Sequence, residues 1–359
     1  MQTSEKTFLK DKRISRKGKE KEQPWREYKN LAMQLSQSYV RIGEHSKAHR
    51  CLICGSWLEF KEFQDDTKKL HHANFCKVRL CPMCSWRRSK KIFGQVSKIM
   101  NYMTENHDYE YVFLTLTVRN VVGNDLSKAI DILMESYNRL TKTKEYKKLS
   151  KGYFRALEVT KKINREDFHP HIHVIIAVNK SYFDKGVNTG YLSHKAWMNL
   201  WRKCANLNYD PWVHICKVKA DDGKKESGVI TYAGAVSEVA KYTVKGSQFI
   251  LDPYQVARSF GISKQSSNFE QIKLSCQEYT DEMVKTLDKS LKGRRLVSFG
   301  GKMRDVHKLL NLDDPAEGDL IKTDNDETIR EDLDYVISTY RWNVEYMNYV
   351  LYVHDGEQG

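Results

Sequence analysis

The middle of the chain alternates between helix-like and strand-like spacing of its apolar residues. From Lys91 the residues Ile92, Val96, Ile99 and Met103 recur at helical spacing and predict a helix. Residues 111–118 are β-branched and aromatic and predict a strand, and residues 125–149 return to helical spacing.

The same reasoning extends the pattern to residue 250. Strands are predicted at 153–160, 169–178 and 212–218, and helices at 194–207 and 229–250. Strands 153–160 and 169–178 are close enough in sequence to form an antiparallel hairpin. Helices interleaved with a mainly antiparallel sheet predict an α+β fold.

Composition divides the chain into four expected segments. Residues 1–44 form a basic N-terminal arm, 45–92 a Cys-rich unit, 93–250 the segment with the strand and helix pattern, and 251–359 a C-terminal region of unassigned role. Beyond about residue 250 the periodicity weakens, and an exposed acidic stretch is expected at 313–334.

Charge is the first functional clue. The 60 Lys and Arg residues exceed the 46 Asp and Glu residues, which gives a net charge of +14. Because the acidic stretch lowers that total, the rest of the chain is more basic still. A surplus of this kind favours a nucleic-acid partner, and a solvated basic surface is the alternative. The charged N-terminus and the absence of a long apolar run predict a soluble, cytoplasmic protein.

Five of the eight cysteines lie between Cys51 and Cys84. Cys51 and Cys54 form one CxxC pair, and Cys81 and Cys84 form a second. Two such pairs predict a structural zinc site of the zinc-ribbon kind, with Cys76 as a candidate to replace one ligand. The intervening insertion, which carries His71 and His72, is expected to loop out.

Basic residues surround these cysteines, with Trp57 and Trp86 among them. This mixture predicts phosphate contacts with aromatic stacking, and a solvated basic face is the alternative. The candidate DNA-binding residues are Arg79, Arg87, Arg88, Lys90 and Lys91.

The strand at 169–178 begins with three histidines. Side chains two apart in a strand share a face, so His171 and His173 are predicted to bind one metal ion, with His169 as an additional candidate. If the hairpin is centred between Asn164 and Arg165, Glu158 lies opposite His171 and supplies a third ligand. Two imidazoles and a carboxylate suit Mg²⁺ or Mn²⁺ bound to phosphate. A cross-strand salt bridge is the alternative for Glu158.

The predicted helix at 229–250 carries a second candidate set. Glu238, Tyr242 and Lys245 would share one helical face. They would supply a nucleophile (Tyr242), a carboxylate to accept a proton or activate water (Glu238) and a cation for phosphate (Lys245). Taken alone, this spacing is also typical of an ordinary solvated helix face.

Together, residues 113–117, 169–173 and 238–245 resemble the three ordered motifs of HUH endonucleases. More narrowly, they resemble rolling-circle replication initiators of small plasmids from Gram-positive bacteria, the branch in which a Glu precedes the nucleophilic Tyr by four residues. The resemblance covers roughly residues 50–250. It implies an HUH-type antiparallel sheet flanked by helices, a zinc-ribbon-like unit and a C-terminal extension.

The resemblance also implies a mechanism. Tyr242 would attack a phosphodiester at a plasmid origin that is single-stranded at the nick, giving a 5′-phosphotyrosyl enzyme and a 3′-OH primer. Glu238 would help water to release the finished strand. The sequence contains no Gly-rich P-loop, so a host helicase and DNA polymerase are expected partners. A homo-oligomer is also compatible with this reading.

Two other functions fit the same residues. A non-enzymatic zinc-ribbon DNA-binding regulator would use the histidine strand only structurally. A relaxase or a single-strand transposase would keep the chemistry in a different biological role.

Overall fold

The computed structural model describes residues 6–14, 19–162, 165–184, 190–219, 229–241, 246–323 and 334–355. The strands are β1 Lys12–Ile14, β2 Glu20–Glu22, β3 Trp57–Phe63, β4 Lys68–Ala73, β5 Tyr109–Thr117, β6 Gly152–Lys161, β7 Phe168–Asn179, β8 Val213–Lys219, β9 Val229–Thr231, β10 Val297–Gly301, β11 Tyr335–Asn343 and β12 Asn348–Asp355. The helices are α1 Trp25–Arg41, α2 His45–Ile53, α3 Pro82–His107, α4 Leu126–Leu140, α5 Lys144–Leu149, α6 His194–Cys204, α7 Tyr232–Val239, α8 Gly246–Phe249, α9 Pro253–Ser259, α10 Asn268–Leu291 and α11 Lys302–Leu309. Mixed helices and antiparallel sheets confirm the α+β class.

The chain divides into two compact units. The cysteine unit comprises Met1–Lys91, Phe249–Lys285 and Asp319–Gly359, and the histidine unit comprises Ile92–Gln248 and Thr286–Gly318. This division differs from the four segments expected from composition, because the N-terminal segment joins the Cys-rich segment and the C-terminal segment is divided between the two units. The changes at residues 91/92 and 248/249 lie close to two of the expected boundaries.

The cysteine unit is built on an antiparallel sheet with the strand order β12-β11-β3-β4. Strand β11 pairs with β3 over Tyr335–Arg341, so the C-terminal hairpin extends the sheet that begins near the cysteines. Phe8 forms a further bridge to Val350, which ties the N-terminal segment to the same hairpin. This long-range pairing explains why the segments predicted as an arm and an extension fold with the Cys-rich segment.

The histidine unit contains a sheet with the order β10-β6-β7-β5-β8-β9. All neighbouring strands are antiparallel except β8 and β9, which are parallel. Strands β6 and β7 form the expected hairpin with the expected register, since Glu158 pairs with His171.

One face of this sheet holds the main core of the histidine unit. Ile175 and Ala177 of β7 pack there with buried residues of α3, α7 and α11. Because alternate residues of a strand share a face, His171 and His173 lie on the same face as Ile175 and Ala177. Helix α7 and the histidines therefore occupy one side of the sheet.

The predicted helix at 229–250 is wrong as a single element. Residues Val229–Thr231 form strand β9, and α7 then runs only to Val239. The side chain of Thr231 accepts a hydrogen bond from the backbone N–H of Gly234 and so caps the start of α7. Tyr242 and Lys245 lie outside the described residues, as does the helical face that they were expected to share with Glu238.

Within the described ranges, no helix is both long and apolar enough to cross a membrane.

Candidate metal centres and nicking site

Glu158, His171 and His173 come together on the inner strands of the histidine unit. Their ligand atoms all lie within 4.8 Å of one another. Oε2 of Glu158 lies 2.9 Å from Nε2 of His173 and 3.3 Å from Nε2 of His171. Ligand atoms about 2.1 Å from one ion are about 3.0–3.4 Å apart in octahedral or tetrahedral geometry, so these separations fit a shared cation.

The orientation of His171 also fits a cation. Its Nδ1 lies 3.1 Å from the carbonyl oxygen of His169, which can only accept, so Nδ1 carries a proton. In the neutral imidazole the Nε2 lone pair then faces the carboxylate oxygen of Glu158. Two acceptors at this distance require a proton or a metal ion between them, which makes the donor set suitable for a divalent ion.

Thr115 orients the second histidine. It lies opposite His173 in the β5–β7 register, and its Oγ1 is 3.0 Å from Nδ1 of His173. A threonine hydroxyl can either donate or accept, so it supports the tautomer that leaves Nε2 available for a metal. Residues 113–117 matched the first motif of the resembled family, but no role was predicted for Thr115, and its register opposite His173 was the signal that could have found it.

The electrostatics of the site favour an anionic Glu158 carboxylate beside a neutral His173 imidazole. Burial raises the pKa of the Glu158 carboxyl, but its close polar and charge interactions with His171 and His173 outweigh burial and hold that pKa well below its usual range. Burial lowers the pKa of His173, against an opposing hydrogen bond with Glu158. A neutral imidazole beside a carboxylate is the form that binds metal.

His169 does not join this group. Its Nδ1 lies 2.7 Å from Oδ1 of Asn120, and it is absent from the set of converging ligand atoms. Its backbone carbonyl instead fixes the tautomer of His171, as described above. Pro170, between the two histidines, pairs with Val159 without disturbing the register.

Glu238 lies near the same centre. Its charge acts on His173, where it raises the pKa against the larger effect of burial. The Glu238 carboxylate also forms an ion pair with Lys241, and both side chains are about one third exposed. Helix α7 therefore brings Glu238 to the histidine face, and Tyr242 follows three residues after its last helical residue.

The cysteines of the other unit form a second centre. The sulfurs of Cys54, Cys76, Cys81 and Cys84 all lie within 4.8 Å of one another. The sulfur of Cys54 lies 3.5 Å from that of Cys84 and 3.6 Å from that of Cys81, and the sulfur of Cys76 lies 3.7 Å from that of Cys84. Four sulfurs about 2.3 Å from a tetrahedral zinc ion are about 3.8 Å apart, so this set fits zinc closely.

This set differs from the primary prediction in one ligand, since Cys76 takes the place expected for Cys51. Cys51 lies in the last turn of α2 and is fully buried, and a hydrogen bond with Cys76 is the main cause of its raised pKa. Cys51 is thus next to the cluster but outside the group of four. Cys204, Cys216 and Cys276 are buried elsewhere, as isolated cysteines usually are.

A buried lysine supports the cysteine centre. The ammonium of Lys29 donates to the carbonyl oxygens of Leu52 and Cys54, at 2.6 and 2.9 Å. Burial lowers the pKa of Lys29, and the nearby cysteines act in the opposite direction. A cation at this position would offset part of the negative charge of four thiolates.

The insertion between the CxxC pairs is not a loop. Residues 68–73 form β4, which pairs with β3, and a bulge places His71 and His72 opposite Glu59. These three side chains form another group with convergent ligand atoms on the sheet of the cysteine unit.

Two of the predicted DNA-binding residues require correction. Arg87 is 4% exposed and donates to the carbonyl oxygens of Leu320 and Ile321, and Lys91 is 2% exposed and donates to that of Asp319. Their charges therefore hold the segment at 319–321 rather than face solvent. A positive charge in the sequence does not reveal whether its side chain is buried.

The other basic candidates also have internal partners. Arg88 donates to the carbonyl oxygens of Lys77 and Val78, and Lys90 donates to the Gln23 side chain. Arg79 is half-buried just before α3, and its carbonyl oxygen accepts from Ser85. Trp86 is buried and stacks on Tyr28, so it is not an open stacking surface.

Comparison with known proteins identifies the family. The sequence pattern of a family described as "Replication protein" matches residues 67–350. A "Protein rep" of Bacillus amyloliquefaciens is 34% identical over 92% of this chain and 94% of its own length. A "Protein rep" of Streptococcus pneumoniae is 33% identical over 92% of each chain, and one from a Bacillus species is 37% identical over 77% of this chain and 84% of its own.

No solved structure matches the chain. The family match covers well over half of the sequence, and the relatives align over most of their length. The resemblance to plasmid replication initiators, first inferred from the three motifs, is thereby confirmed, and the chain belongs to the Rep replication protein family.

Proposed function

We propose that this protein initiates rolling-circle replication of a plasmid by nicking one DNA strand at the origin, with Tyr242 as the nucleophile. The observation that carries the proposal is the convergence of Glu158, His171 and His173 on the sheet face that also packs α7. Helix α7 leads directly to Tyr242 in sequence. Phosphodiester transfer requires a metal site and a nucleophile that reach the same phosphate.

The donor set suits Mg²⁺ or Mn²⁺. One carboxylate and two imidazoles leave coordination positions for phosphate oxygen and water, and imidazole ligands favour Mn²⁺ over Mg²⁺. When bound, such an ion would neutralise the charge of a phosphodiester and make its phosphorus more susceptible to attack. The cysteine centre, with a closed shell of four sulfurs, suits structural Zn²⁺ instead.

The covalent step follows from the residues of this chain. The phenolic oxygen of Tyr242 forms a bond to phosphorus, and the bond from phosphorus to the 3′ oxygen breaks. The leaving oxygen takes up a proton and becomes a 3′-OH, while the 5′ phosphate stays on the tyrosine. Because one phosphodiester replaces another, strand closure needs no ATP.

Glu238 and Lys245 have supporting roles in this proposal. The Glu238 carboxylate accepts the phenolic proton or activates the water that releases the finished strand. It forms an ion pair with Lys241 and lies within electrostatic range of His173. Lys245, three residues after Tyr242, supplies a positive charge for the phosphate.

The net charge of +14 supports origin DNA as the partner. The 3′-OH would serve as a primer for a host polymerase, and a host helicase would open the duplex. These partners follow from the chemistry of the product and from the lack of a P-loop in the sequence.

Plasmid nicking by matched variants tests the proposal. Supercoiled plasmid that carries the cognate origin is incubated with Mn²⁺ and with wild type, Tyr242→Phe or Tyr232→Phe, and the open-circular product is followed on gels. Tyr242→Phe should lower the nicking rate by at least about 10³-fold, since it removes the nucleophile. Tyr232→Phe, on α7, loses only a hydrogen bond to Thr104 and should nick nearly normally.

A second variant tests the metal site. Glu158→Gln keeps the shape of the side chain but removes its charge, and should abolish Mn²⁺ binding by calorimetry together with nicking. If Tyr242→Phe nicks the plasmid at the wild-type rate, the assignment of the nucleophile is wrong. Persistence of nicking in Glu158→Gln would disprove the assignment of the metal site.

A further inference from the structure

Trp212 and His214 form an exposed aromatic pair on the histidine unit. The indole of Trp212 is 61% exposed, and its ring lies parallel to that of His214, with the centroids 5.9 Å apart and the planes 9° apart. His214 is itself exposed. A single exposed tryptophan is common on protein surfaces, so the significance of this pair depends on its position.

The strand register places the pair on the face of the candidate nicking site. Thr115 of β5 pairs with His173 on one side and with His214 on the other. Residues directly opposite in adjacent strands point to the same face, so His214 and His173 share it. Phe113 connects them, with its ring 5.4 Å from that of His173 and 6.4 Å from that of His214.

Trp212 lies level with His171. Thr117 pairs with His171, and its hydroxyl donates to the carbonyl oxygen of Trp212 at 2.8 Å. Two strand spacings of about 4.8 Å separate β7 from β8, so the backbone of Trp212 is roughly 10 Å from that of His171. At 3.4 Å for each stacked nucleotide, this distance is a span of roughly three nucleotides.

The backbone around the pair is held in place. The hydroxyl of Tyr209 accepts from the backbone N–H of Arg119 at 2.9 Å, and Arg202 pairs with Asp210 at 2.7 Å. Holding the backbone that carries an aromatic side chain reduces the entropic cost of stacking. The exposed Arg119 guanidinium is 3.9 Å above the Tyr209 ring, and Arg119 lies two residues after Thr117, whose hydroxyl contacts the Trp212 carbonyl.

We propose that Trp212, backed by His214, is a stacking site for one nucleobase of the single-stranded DNA near the scissile phosphate, with Arg119 available to the adjoining phosphate. This inference rests on the proposed nicking function and extends it to substrate positioning. Stacking on an aromatic ring is possible for every base, so the site holds the strand without reading its sequence.

The test separates base stacking from phosphate attraction. Fluorescence anisotropy compares the binding of fluorescein-labelled oligothymidylate with that of an abasic oligonucleotide of equal length, at one salt concentration. Wild type should bind the oligothymidylate about 5- to 150-fold more tightly, the range expected for loss of one base–aromatic stack. Trp212→Ala should remove most of this preference, and Trp212→Phe should keep most of it.

Leu309→Ala is the matched control. Leu309 is also 61% exposed, but it lies on α11, which packs over β10 at the other edge of the sheet order. This variant should keep the full preference for bases. His214→Ala should reduce it by a smaller factor than Trp212→Ala.

Two results would overturn the inference: equal binding of both oligonucleotides by wild type, or an unchanged preference in Trp212→Ala. Neither result depends on DNA cleavage, because anisotropy measures the binding of the oligonucleotide itself. Normal plasmid nicking by Tyr242→Phe would instead refute the proposed function. The two failures are therefore distinguishable, because they are seen in different experiments.

Discussion

Replacing Cys76 by serine should release zinc from the cysteine centre, whereas replacing Cys51 should not. The sulfur of Cys76 is 3.7 Å from that of Cys84 and belongs to the group of four, while Cys51 lies next to that group. The two variants change the same atom at neighbouring sites, so each is a control for the other.

The size of the effect follows from the number of ligands. Structural zinc sites of this kind contribute about 10–16 kcal/mol, so one of four thiolates is responsible for roughly 2.5–4 kcal/mol. Loss of that ligand corresponds to a zinc affinity weaker by about 100- to 1,000-fold. Cys51→Ser instead buries a hydroxyl without removing a ligand, and should cost about 1–3 kcal/mol of folding stability with little change in zinc affinity.

The assay is a chelator competition on purified protein, with zinc content measured by plasma mass spectrometry. Thermal unfolding of the same samples reports stability independently of zinc content. If Cys51→Ser loses zinc and Cys76→Ser retains it, the two CxxC pairs of the sequence bind the ion, and the geometric assignment is wrong.

Further variants test how supporting residues act. Thr115→Val should weaken Mn²⁺ binding about 10- to 100-fold in calorimetry, because it removes the partner of His173 Nδ1. Thr117→Val, the control, should leave Mn²⁺ affinity nearly unchanged. Equal effects of the two substitutions on Mn²⁺ affinity would contradict an orienting role for Thr115. Arg87→Ala should lower the free energy of unfolding in urea by about 3–5 kcal/mol, because two buried carbonyl oxygens lose a charged donor. Arg88→Ala, at a half-buried site, should cost less than half as much, and a reversed order would show that burial does not determine the role of these arginines.

Local patterns predicted the register that places Glu158 opposite His171. Few residues connect β6 and β7, so the centre of that connection fixed the register and placed Glu158 opposite His171. The alternation of a strand then placed both imidazoles on one face. All of this information lies within residues 152–179.

Features that depend on distant segments could not be predicted in this way. The pairing of β11 with β3 joins residues far apart in sequence, and no local period reports it. The same is true of Arg87, whose carbonyl partners lie at 320–321. Cys76 was predicted only as a substitute ligand, because CxxC spacing favours Cys51. The fold of the β3–β4 hairpin decides which sulfur atoms lie close together, and the spacing does not report that fold.

The separation of the predicted helix at 229–250 into β9 and α7 could be predicted in part from the sequence. Thr231 is a good N-cap residue, and its position before Tyr232 marks the start of a helix later than residue 229. The apolar residues around it allowed a single long helix, and periodicity alone does not separate a short buried strand from a helical turn.

The central claim is that the histidine face and Tyr242 act on the same phosphate. Its most direct test is to trap the covalent complex with origin DNA and Mn²⁺, digest the protein and map the nucleotide-bearing peptide by mass. A 5′-linked nucleotide on Tyr242, formed by wild type and absent from Glu158→Gln, is the predicted result. An adduct on another residue, or one that forms equally well in Glu158→Gln, would contradict the account.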